Sequence, residues 1–150
     1  MRRALLLLLC AALLAVGCSM PRIAIHDDPL SPEEHLKLGM SYEAGREPER
    51  AVDEYRRAAR KVPLAHLYLG NALFGLGRLD PAEAEYREAV RLLPDNAEAM
   101  NNLAWLLVQR GRSLAEAEDL AARAVRLEPG RAAFRDTLAA ARAAKKTGGR

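Results

Sequence analysis

The distribution of apolar residues divides the chain into two parts. Residues 4–16 form an uninterrupted apolar run of thirteen residues. From Ser31 onward, apolar residues are instead interspersed with charged ones, in segments that start and stop at prolines, glycines and capping residues, as amphipathic helices do. This pattern predicts helices over 32–45, 48–61, 64–77, 81–93, 96–110, 114–127 and 131–146.

Four of these helix starts carry the capping-box arrangement, in which a capping residue is followed three positions later by glutamate. The pairs are Ser31 with Glu34, Asp80 with Glu83, Asp95 with Glu98, and Ser113 with Glu116. Glycines mark the ends of three helices, because glycine tolerates the left-handed turn that stops a helix. They are Gly45, Gly77 and Gly111.

Composition favours an all-α fold. Val, Ile and Thr together number only seven after Ser31, which is too few β-branched residues to build a sheet. The whole chain contains seven aromatic residues. With so little bulky side-chain volume, the helices are expected to approach closely through Ala and Gly and to stack as pairs.

One pattern of residues recurs three times in the same order. Small, aromatic and proline positions of the first copy reappear 31 residues later, and again 34 to 35 residues after that. The copies are Gly39, Tyr42, Ala51, Tyr55, Ala58, Pro63; Gly70, Leu73, Ala82, Tyr86, Ala89, Pro94; and Ala104, Leu107, Ala117, Ala121, Ala124, Pro129. This pattern resembles the tetratricopeptide repeat (TPR) family, whose repeats are helix pairs with small residues where the helices cross.

The resemblance implies a solenoid of three helix pairs over residues 31–130, followed by a capping helix and a basic tail over 131–150. Two departures from regular spacing are expected to show in the structure. The interval from Pro63 to Gly70 is three residues shorter than that from Pro94 to Ala104, so one helix beside Pro63 should be truncated. The third pair has one extra residue, which we place in its internal turn near Arg112.

In stacked helical pairs, the first helices usually line a concave groove. The groove positions that the resemblance assigns are Leu36, Met40, Leu67, Asn71, Phe74, Asn101, Asn102, Trp105 and Val108. Amide side chains bind peptide backbone through both donor and acceptor, and the apolar members offer pockets for side chains. The set therefore predicts a groove for a peptide or protein.

Several groove residues have an equally good structural interpretation. Leu36, Leu67 and Val108 can pack between repeats, and Trp105 can belong to the core. Asn71 and Asn102 are the better candidates, because burying an amide without a partner costs about 1–3 kcal/mol and brings no structural gain.

Known catalytic motifs are missing from the sequence: it has no HExxH, no glycine-rich phosphate loop and no nucleophile elbow. We therefore expect a protein that is not an enzyme and binds no cofactor, metal ion or small-molecule substrate. His26, Asp27 and Asp28 are interpreted as part of a polar linker, and His35 and His66 as partly buried packing residues. One TPR subclass grips a terminal carboxylate with lysines and asparagines, but Leu36 occupies the lysine position here, so that activity is not expected.

The N-terminal run has the features of an export signal, because Arg2 and Arg3 precede a stretch too short to span a bilayer. It ends in Leu14-Ala15-Val16-Gly17-Cys18, which resembles the bacterial lipobox. We therefore expect residues 1–17 to be a lipoprotein signal peptide, Cys18 the site of lipid attachment, and 18–30 a linker. A secretory signal cleaved elsewhere remains the alternative.

Charge gives no indication of nucleic-acid binding. Without Arg2 and Arg3, the chain has 21 basic and 20 acidic residues, which is close to neutral. Basic residues collect at the end as Arg142, Lys145, Lys146 and Arg150, as expected of a solvated helix terminus.

The sequence as a whole predicts a lipid-anchored scaffold or assembly factor that binds another envelope protein or peptide. The partners are then that protein and the bilayer, with no nucleic acid. A non-catalytic accessory subunit of an exported peptidase or cell-wall hydrolase is the alternative function. Because Ser19 is not the aspartate that retains many lipoproteins in the inner membrane, the periplasmic face of the outer membrane is the expected location. Attachment to the inner membrane and a soluble periplasmic form are the alternatives.

Overall fold

The computed structural model describes residues 28–148, and this part of the chain contains seven helices and no strand. Each helix packs against the next along the chain, and the fifth also contacts the seventh. The predicted all-α solenoid of three helix pairs and a capping helix is thereby confirmed. The helices are α1 (Pro32–Ala44), α2 (Pro48–Ala58), α3 (Leu64–Gly75), α4 (Leu79–Leu92), α5 (Ala97–Gln109), α6 (Leu114–Leu127) and α7 (Ala132–Gly148).

The first two pairs are held by a tyrosine that packs directly on a glycine. A Cβ atom added at Gly39 would lie 2.5 Å from ring carbons of Tyr55, and one added at Gly70 would lie 2.6 Å from ring carbons of Tyr86. Only glycine allows this close approach of backbone and ring. The third pair meets the same requirement differently, with Ala104 opposite the position of Ala121, both fully buried.

The predicted capping box forms at the start of α1. Ser31 Oγ accepts a hydrogen bond from the Glu34 amide, and the Ser31 amide donates to Glu34 Oε2. The other three predicted boxes are corrected by the structure. Asp80 lies inside α4, whose N-cap is Arg78, and Asn96 rather than Asp95 caps α5 by accepting from the Ala99 amide.

Ser113 does precede α6, but in a left-handed conformation that makes no side-chain cap. Its φ of 50° places it among the few residues other than glycine with positive φ in the described chain. The turn between α5 and α6 has four residues, 110–113, whereas the turn between α3 and α4 has three, 76–78. The extra residue of the third pair therefore lies in the turn, as expected.

The short joint beside Pro63 truncates α2. This helix has 11 residues and ends at Ala58, whereas α4 and α6 have 14 each and continue three residues beyond their equivalent alanines. Turns with amide-to-carbonyl hydrogen bonds then lead to Pro63, which immediately precedes α3. A deletion at this joint is tolerated because it shortens a helix end and leaves the packed positions in register.

The capping helix α7 closes the stack with Phe134 and Ala141, both buried. Part of the basic C-terminal segment is paired with α6: Lys145 donates to Glu118 Oε2 at 2.8 Å, and Arg142 to Glu118 Oε1 at 3.3 Å. Among the helices between residues 28 and 148, none is long and apolar enough to cross a bilayer. Residues 1–27, which include Cys18, and residues 149–150 lie outside the described part of the chain.

Candidate functional site

An open cavity of about 260 Å³ lies where α3, α4 and α5 meet. Its walls are Asn71 and Phe74 of α3, Tyr86 of α4, and Asn102 and Trp105 of α5. Four of these five residues belong to the groove that the sequence predicts. The structure therefore brings Asn71, Phe74, Asn102 and Trp105 to one place.

The polar side chains of the cavity form a connected network. Tyr86 Oη donates a hydrogen bond to Asn71 Oδ1 at 2.9 Å, and Asn102 Nδ2 donates to the same oxygen at 2.9 Å. Asn101 Nδ2 in turn donates to Asn102 Oδ1 at 3.4 Å. The network fixes the orientation of both amides, and groups whose orientation is already fixed lose less entropy on binding than free ones.

Tyr86 reaches the cavity because of the glycine beneath its ring. Gly70 allows the ring to pass between α3 and α4, so that the hydroxyl emerges at the amide of Asn71. Burial raises the pKa of Tyr86, and the carboxylate of Glu98 raises it further. The hydroxyl is protonated at neutral pH, as that of an unperturbed tyrosine also is, and it donates to Asn71 Oδ1.

The apolar walls are Phe74 and Trp105. Trp105 is 42% exposed, one of the few large apolar residues of the described chain that is open to solvent. This exposure excludes the core interpretation of Trp105, because a core residue would be enclosed, and its place in a binding groove stays a prediction. An exposed indole beside an amide network is typical of a surface that binds another polypeptide.

The other predicted groove residues lie outside this cavity. Leu67 is only 3% exposed and belongs to the hydrophobic core, so its assignment to the groove is corrected. Leu36 and Val108 are half-buried and pack against that core, which is the structural role left open for them. Met40 is 38% exposed on α1 but away from the cavity, and Asn101 contributes through its bond to Asn102.

Tyr86 is the cavity residue that the sequence did not assign to the groove. The repeat pattern places Tyr86 in a second helix, whereas the predicted groove is lined by first helices. A signal was available, since a tyrosine packed on glycine must send its hydroxyl past the first helix, and a buried hydroxyl needs a partner. Asn71, one residue after Gly70, supplies it.

The first helix pair presents different chemistry at the equivalent tyrosine. Tyr55 Oη donates to Glu43 Oε2 at 2.7 Å, and the Tyr55 ring stacks on Tyr68 with centroids 5.7 Å apart. Burial raises the pKa of Tyr55, with the Glu43 carboxylate as a further cause. The amide network is therefore a local feature of the second and third pairs.

A separate cluster surrounds His35, which is 3% exposed. Its Nε2 lies 3.1 Å from Asp28 Oδ2, and its Nδ1 lies 2.5 Å from Glu54 Oε2. Asp28 thus contacts the first helix pair, a contact the linker interpretation did not foresee, while His26 and Asp27 lie outside the described residues. Within 28–148, no group of three or more His, Cys, Asp or Glu side chains is arranged to hold a metal ion.

Antiparallel helix pairs that repeat along the chain define the class of this protein as a helical-repeat solenoid. The tetratricopeptide repeat profile matches residues 36–97 and 67–132. The chain therefore belongs to the tetratricopeptide repeat family. A search of curated proteins finds no significant sequence match.

Similar folds occur among solved structures. The first TPR domain of Spaghetti (RPAP3), bound to the HSP90 peptide SRMEEVD, is 22% identical, with a TM-score of 0.69 over 82% of this chain and 97% of that one. The second TPR domain of human RPAP3, in complex with the HSP70 peptide SGPTIEEVD, is 19% identical, with a TM-score of 0.66 over 75% and 98% of the respective chains. MamA is 21% identical, with a TM-score of 0.69 over 77% of this chain and 64% of that one.

Proposed function

We propose that this protein is a scaffold or assembly factor that holds a segment of another polypeptide in the cavity between α3, α4 and α5. The observation that carries the proposal is the arrangement of Asn71, Asn102 and Tyr86 beside the exposed Trp105. A preformed amide network next to an apolar wall suits a peptide, which has backbone donors and acceptors beside apolar side chains.

Relatives of the same fold support this use of the surface. Both RPAP3 domains hold a peptide of another protein, and the family to which this chain belongs mediates protein–protein interaction. The low sequence identity transfers the fold and not the ligand. The partner of this chain is therefore inferred from its own cavity.

The proposal includes anchoring to a membrane through Cys18. This residue lies ten positions before Asp28, where the described chain begins. A linker of that length reaches about 35 Å when extended, so the helix pairs would work close to the bilayer surface. The periplasmic face of the outer membrane is the location we propose, on the basis of the lipobox and Ser19.

Site-specific crosslinking in intact cells tests the binding function. An aromatic photoreactive amino acid in place of Trp105, which keeps an apolar ring at this position as alanine would not, is expected to capture a defined protein. The same amino acid in place of Arg91, an exposed α4 residue that does not line the cavity, is expected not to capture it. Asn71→Ala should abolish capture from position 105. Equal capture from both positions, or capture that Asn71→Ala leaves unchanged, would show that the cavity is not the binding site.

Membrane anchoring is tested separately by fractionation. Cys18→Ala is expected to move the chain from the membrane fraction to the soluble fraction, whereas Cys10→Ala, the matched control within the signal, should leave it in place. Continued membrane association of Cys18→Ala would rule out Cys18 as the anchor.

A further inference from the structure

We propose that the cavity selects an internal, uncharged stretch of extended polypeptide with one large apolar side chain, and that it discriminates against acidic segments and free carboxyl termini. This inference rests on the proposed function, because it names the class of partner that the same cavity takes. It is carried by three properties of the cavity, which are the orientation of its amides, its size and its charge.

The hydrogen bonds orient the amide of Asn71. Its Oδ1 accepts from both Tyr86 Oη and Asn102 Nδ2, so the oxygen is occupied and the Nδ2 group is the part that remains for a ligand. Asn102 is oriented the opposite way, because its Nδ2 is used and its Oδ1 accepts only one long bond, from Asn101. The cavity thus offers the Nδ2 donor group of Asn71 and the Oδ1 acceptor of Asn102, which match a backbone carbonyl and a backbone N–H.

An extended segment can present both groups while keeping its own backbone free of internal hydrogen bonds. A helix has already used its carbonyls and N–H groups internally, except at its ends. The paired donor and acceptor of Asn71 and Asn102 therefore favour an extended ligand over a helical one. This is the same principle by which sheet edges and peptide-binding domains bind strands.

The cavity volume sets the size of the side chain. An enclosed apolar cavity of about 150 Å³ holds a benzene molecule. The cavity beside Phe74 and Trp105 measures about 260 Å³, which accommodates one aromatic or large aliphatic side chain with an adjoining peptide group. An offset or edge-to-face contact with Phe74 and the indole of Trp105 favours an aromatic side chain.

Charge excludes an acidic ligand. None of the five lining residues carries a formal charge. Glu98, the α5 carboxylate that acts on Tyr86, lies outside the lining and is already paired with Arg131, whose Nη1 is 4.0 Å from Glu98 Oε2. A carboxylate placed in the cavity would therefore lose hydration without gaining a cationic partner among the lining residues.

Synthetic peptides test the inference on the purified chain lacking residues before Ser19. Trp105 is the single tryptophan of the sequence, so its fluorescence reports the cavity directly, and the side-chain amide signals of Asn71 and Asn102 report it by NMR. The probes are short Ser/Gly peptides with acetylated and amidated ends and a central Phe, Leu, Ala, Lys or Asp. A second set carries a free carboxylate immediately after the Phe, and SRMEEVD serves as an acidic reference.

We expect the capped Phe and Leu peptides to bind at least tenfold more tightly than the Ala, Lys and Asp peptides, the free-carboxylate peptide and SRMEEVD. Asn71→Asp keeps oxygens that accept from Tyr86 and Asn102 but replaces the Nδ2 donor and adds a negative charge, whereas Asn71→Leu removes the donor without adding a charge. Each of the two variants is expected to weaken binding of the Phe peptide about tenfold, which corresponds to about 1.4 kcal/mol. The matched control Asn96→Asp, which keeps an acceptor at the α5 N-cap outside the cavity, should leave affinity unchanged.

Tighter binding of SRMEEVD or of the free-carboxylate peptide would overturn the inference and leave the proposed binding function intact. Full affinity in Asn71→Asp would overturn the donor assignment and with it the preference for backbone. If no peptide perturbs Trp105, Asn71 or Asn102 while crosslinking from position 105 still captures a partner, the selectivity proposed here is wrong and the function stands. Failure of both experiments removes the function as well.

Discussion

His35 and Glu54 form a side-chain pair that recurs one repeat later as His66 and Glu85. The ring Nδ1 lies 2.5 Å from the carboxylate oxygen in the first pair and 2.7 Å in the second, and the two partners are 19 residues apart in both. The third repeat has Met100 and Leu120 at the equivalent positions, both buried. The same contact between first and second helices is thus polar in two repeats and apolar in one.

Because the third repeat has an apolar pair at this contact, we predict that His35 and Glu54 can be replaced together by Met and Leu. His35→Met alone leaves the largely buried carboxylate of Glu54 with only Arg57, whose Nη1 lies 3.5 Å away, and Glu54→Leu alone leaves a buried imidazole with Asp28 only. Each is expected to lower the free energy of unfolding by about 1–3 kcal/mol. The double variant copies the third repeat and should cost clearly less than the sum, as measured by urea denaturation in a double-mutant cycle.

The corresponding exchange at His66 and Glu85 provides the control. Both side chains are more exposed there, at 16% and 27% against 4% and 12%. Their coupling free energy should therefore be smaller, since solvent weakens the interaction. Additive effects at His35 and Glu54 would contradict the interpretation of this contact as one unit.

The glycine beneath Tyr86 yields a second prediction. Gly70→Ala places a Cβ within 2.6 Å of the tyrosine ring and must displace it, which should lower the free energy of unfolding by about 1–3 kcal/mol. Because the ring carries the hydroxyl that orients Asn71, the NMR signals of the Asn71 amide should shift as well. Thermal unfolding and NMR spectra of the variant measure the two effects.

Two further variants decide whether the close approach is the cause. Gly75→Ala adds a methyl group in the same helix where nothing lies within 4 Å, and it should leave stability unchanged or raise it by up to about 1 kcal/mol. Gly70→Ala combined with Tyr86→Ala reproduces the Ala104 and Ala121 arrangement of the third pair. Without the ring, the added methyl group displaces nothing, so Gly70→Ala should cost little in the Tyr86→Ala background. If Gly70→Ala lowers the free energy of unfolding as much in that background as in the unmodified chain, steric displacement is not the reason for the loss.

The ion cluster around Glu83 predicts a dependence of stability on pH. Glu83 is 7% exposed and accepts from Arg112 at 2.5 Å, from Arg110 at 3.1 Å, and from Arg87. Burial would raise the pKa of the Glu83 carboxyl, but the hydrogen bonds and charges of Arg112 and Arg87 outweigh it and hold the pKa below its ordinary value of 4.5. The cluster joins α4 to the turn before α6.

A carboxyl whose pKa is lowered in the folded state stabilises that state above its unfolded pKa, and the contribution is lost as pH falls through the folded pKa. Glu83→Gln should therefore lower the free energy of unfolding by about 1–3 kcal/mol at pH 7, and the difference from the unmodified chain should shrink below pH 4. Urea denaturation at several pH values measures it. Glu88→Gln, which removes an exposed pair with Arg91, should show a much smaller effect. A difference for Glu83→Gln that is constant from pH 7 to pH 3 would contradict the assignment.

The sequence was sufficient for features that depend on local spacing. The helices begin and end within three residues of their predicted bounds, because glycine, proline and the Gly–Tyr register mark them directly. The sequence was not sufficient where two neighbouring residues could both cap a helix, or where the role of a residue depends on a partner far away in the chain. Asp95 and Asn96 are both capping residues, and Asp80 lies inside α4, paired with Arg110 and Arg112, which are some 30 residues away in the chain.

The candidate site shows the same division. Asn71 and Asn102 could be identified from their positions in the repeat, since polar amides on an otherwise apolar stripe need a partner. Leu67 and Trp105 could not be separated, because both occupy first-helix groove positions and both are apolar. What separates them is the packing of neighbouring pairs, which encloses Leu67 and leaves Trp105 open.

That separation is itself testable by comparing Leu67→Ala with Trp105→Ala. Truncating the 3% exposed leucine creates a cavity in the core and should lower the free energy of unfolding by about 2–5 kcal/mol. Truncating Trp105, which is 42% exposed, removes less buried surface and should cost less than half as much. The two variants are expected to rank in the opposite order for binding. Trp105→Ala should abolish capture of the partner by a photoreactive group placed at position 74. Leu67→Ala should retain this capture under conditions in which the variant remains folded. If Trp105→Ala proves the more destabilising and still captures the partner, Trp105 is a structural residue and does not form the apolar wall of a binding site.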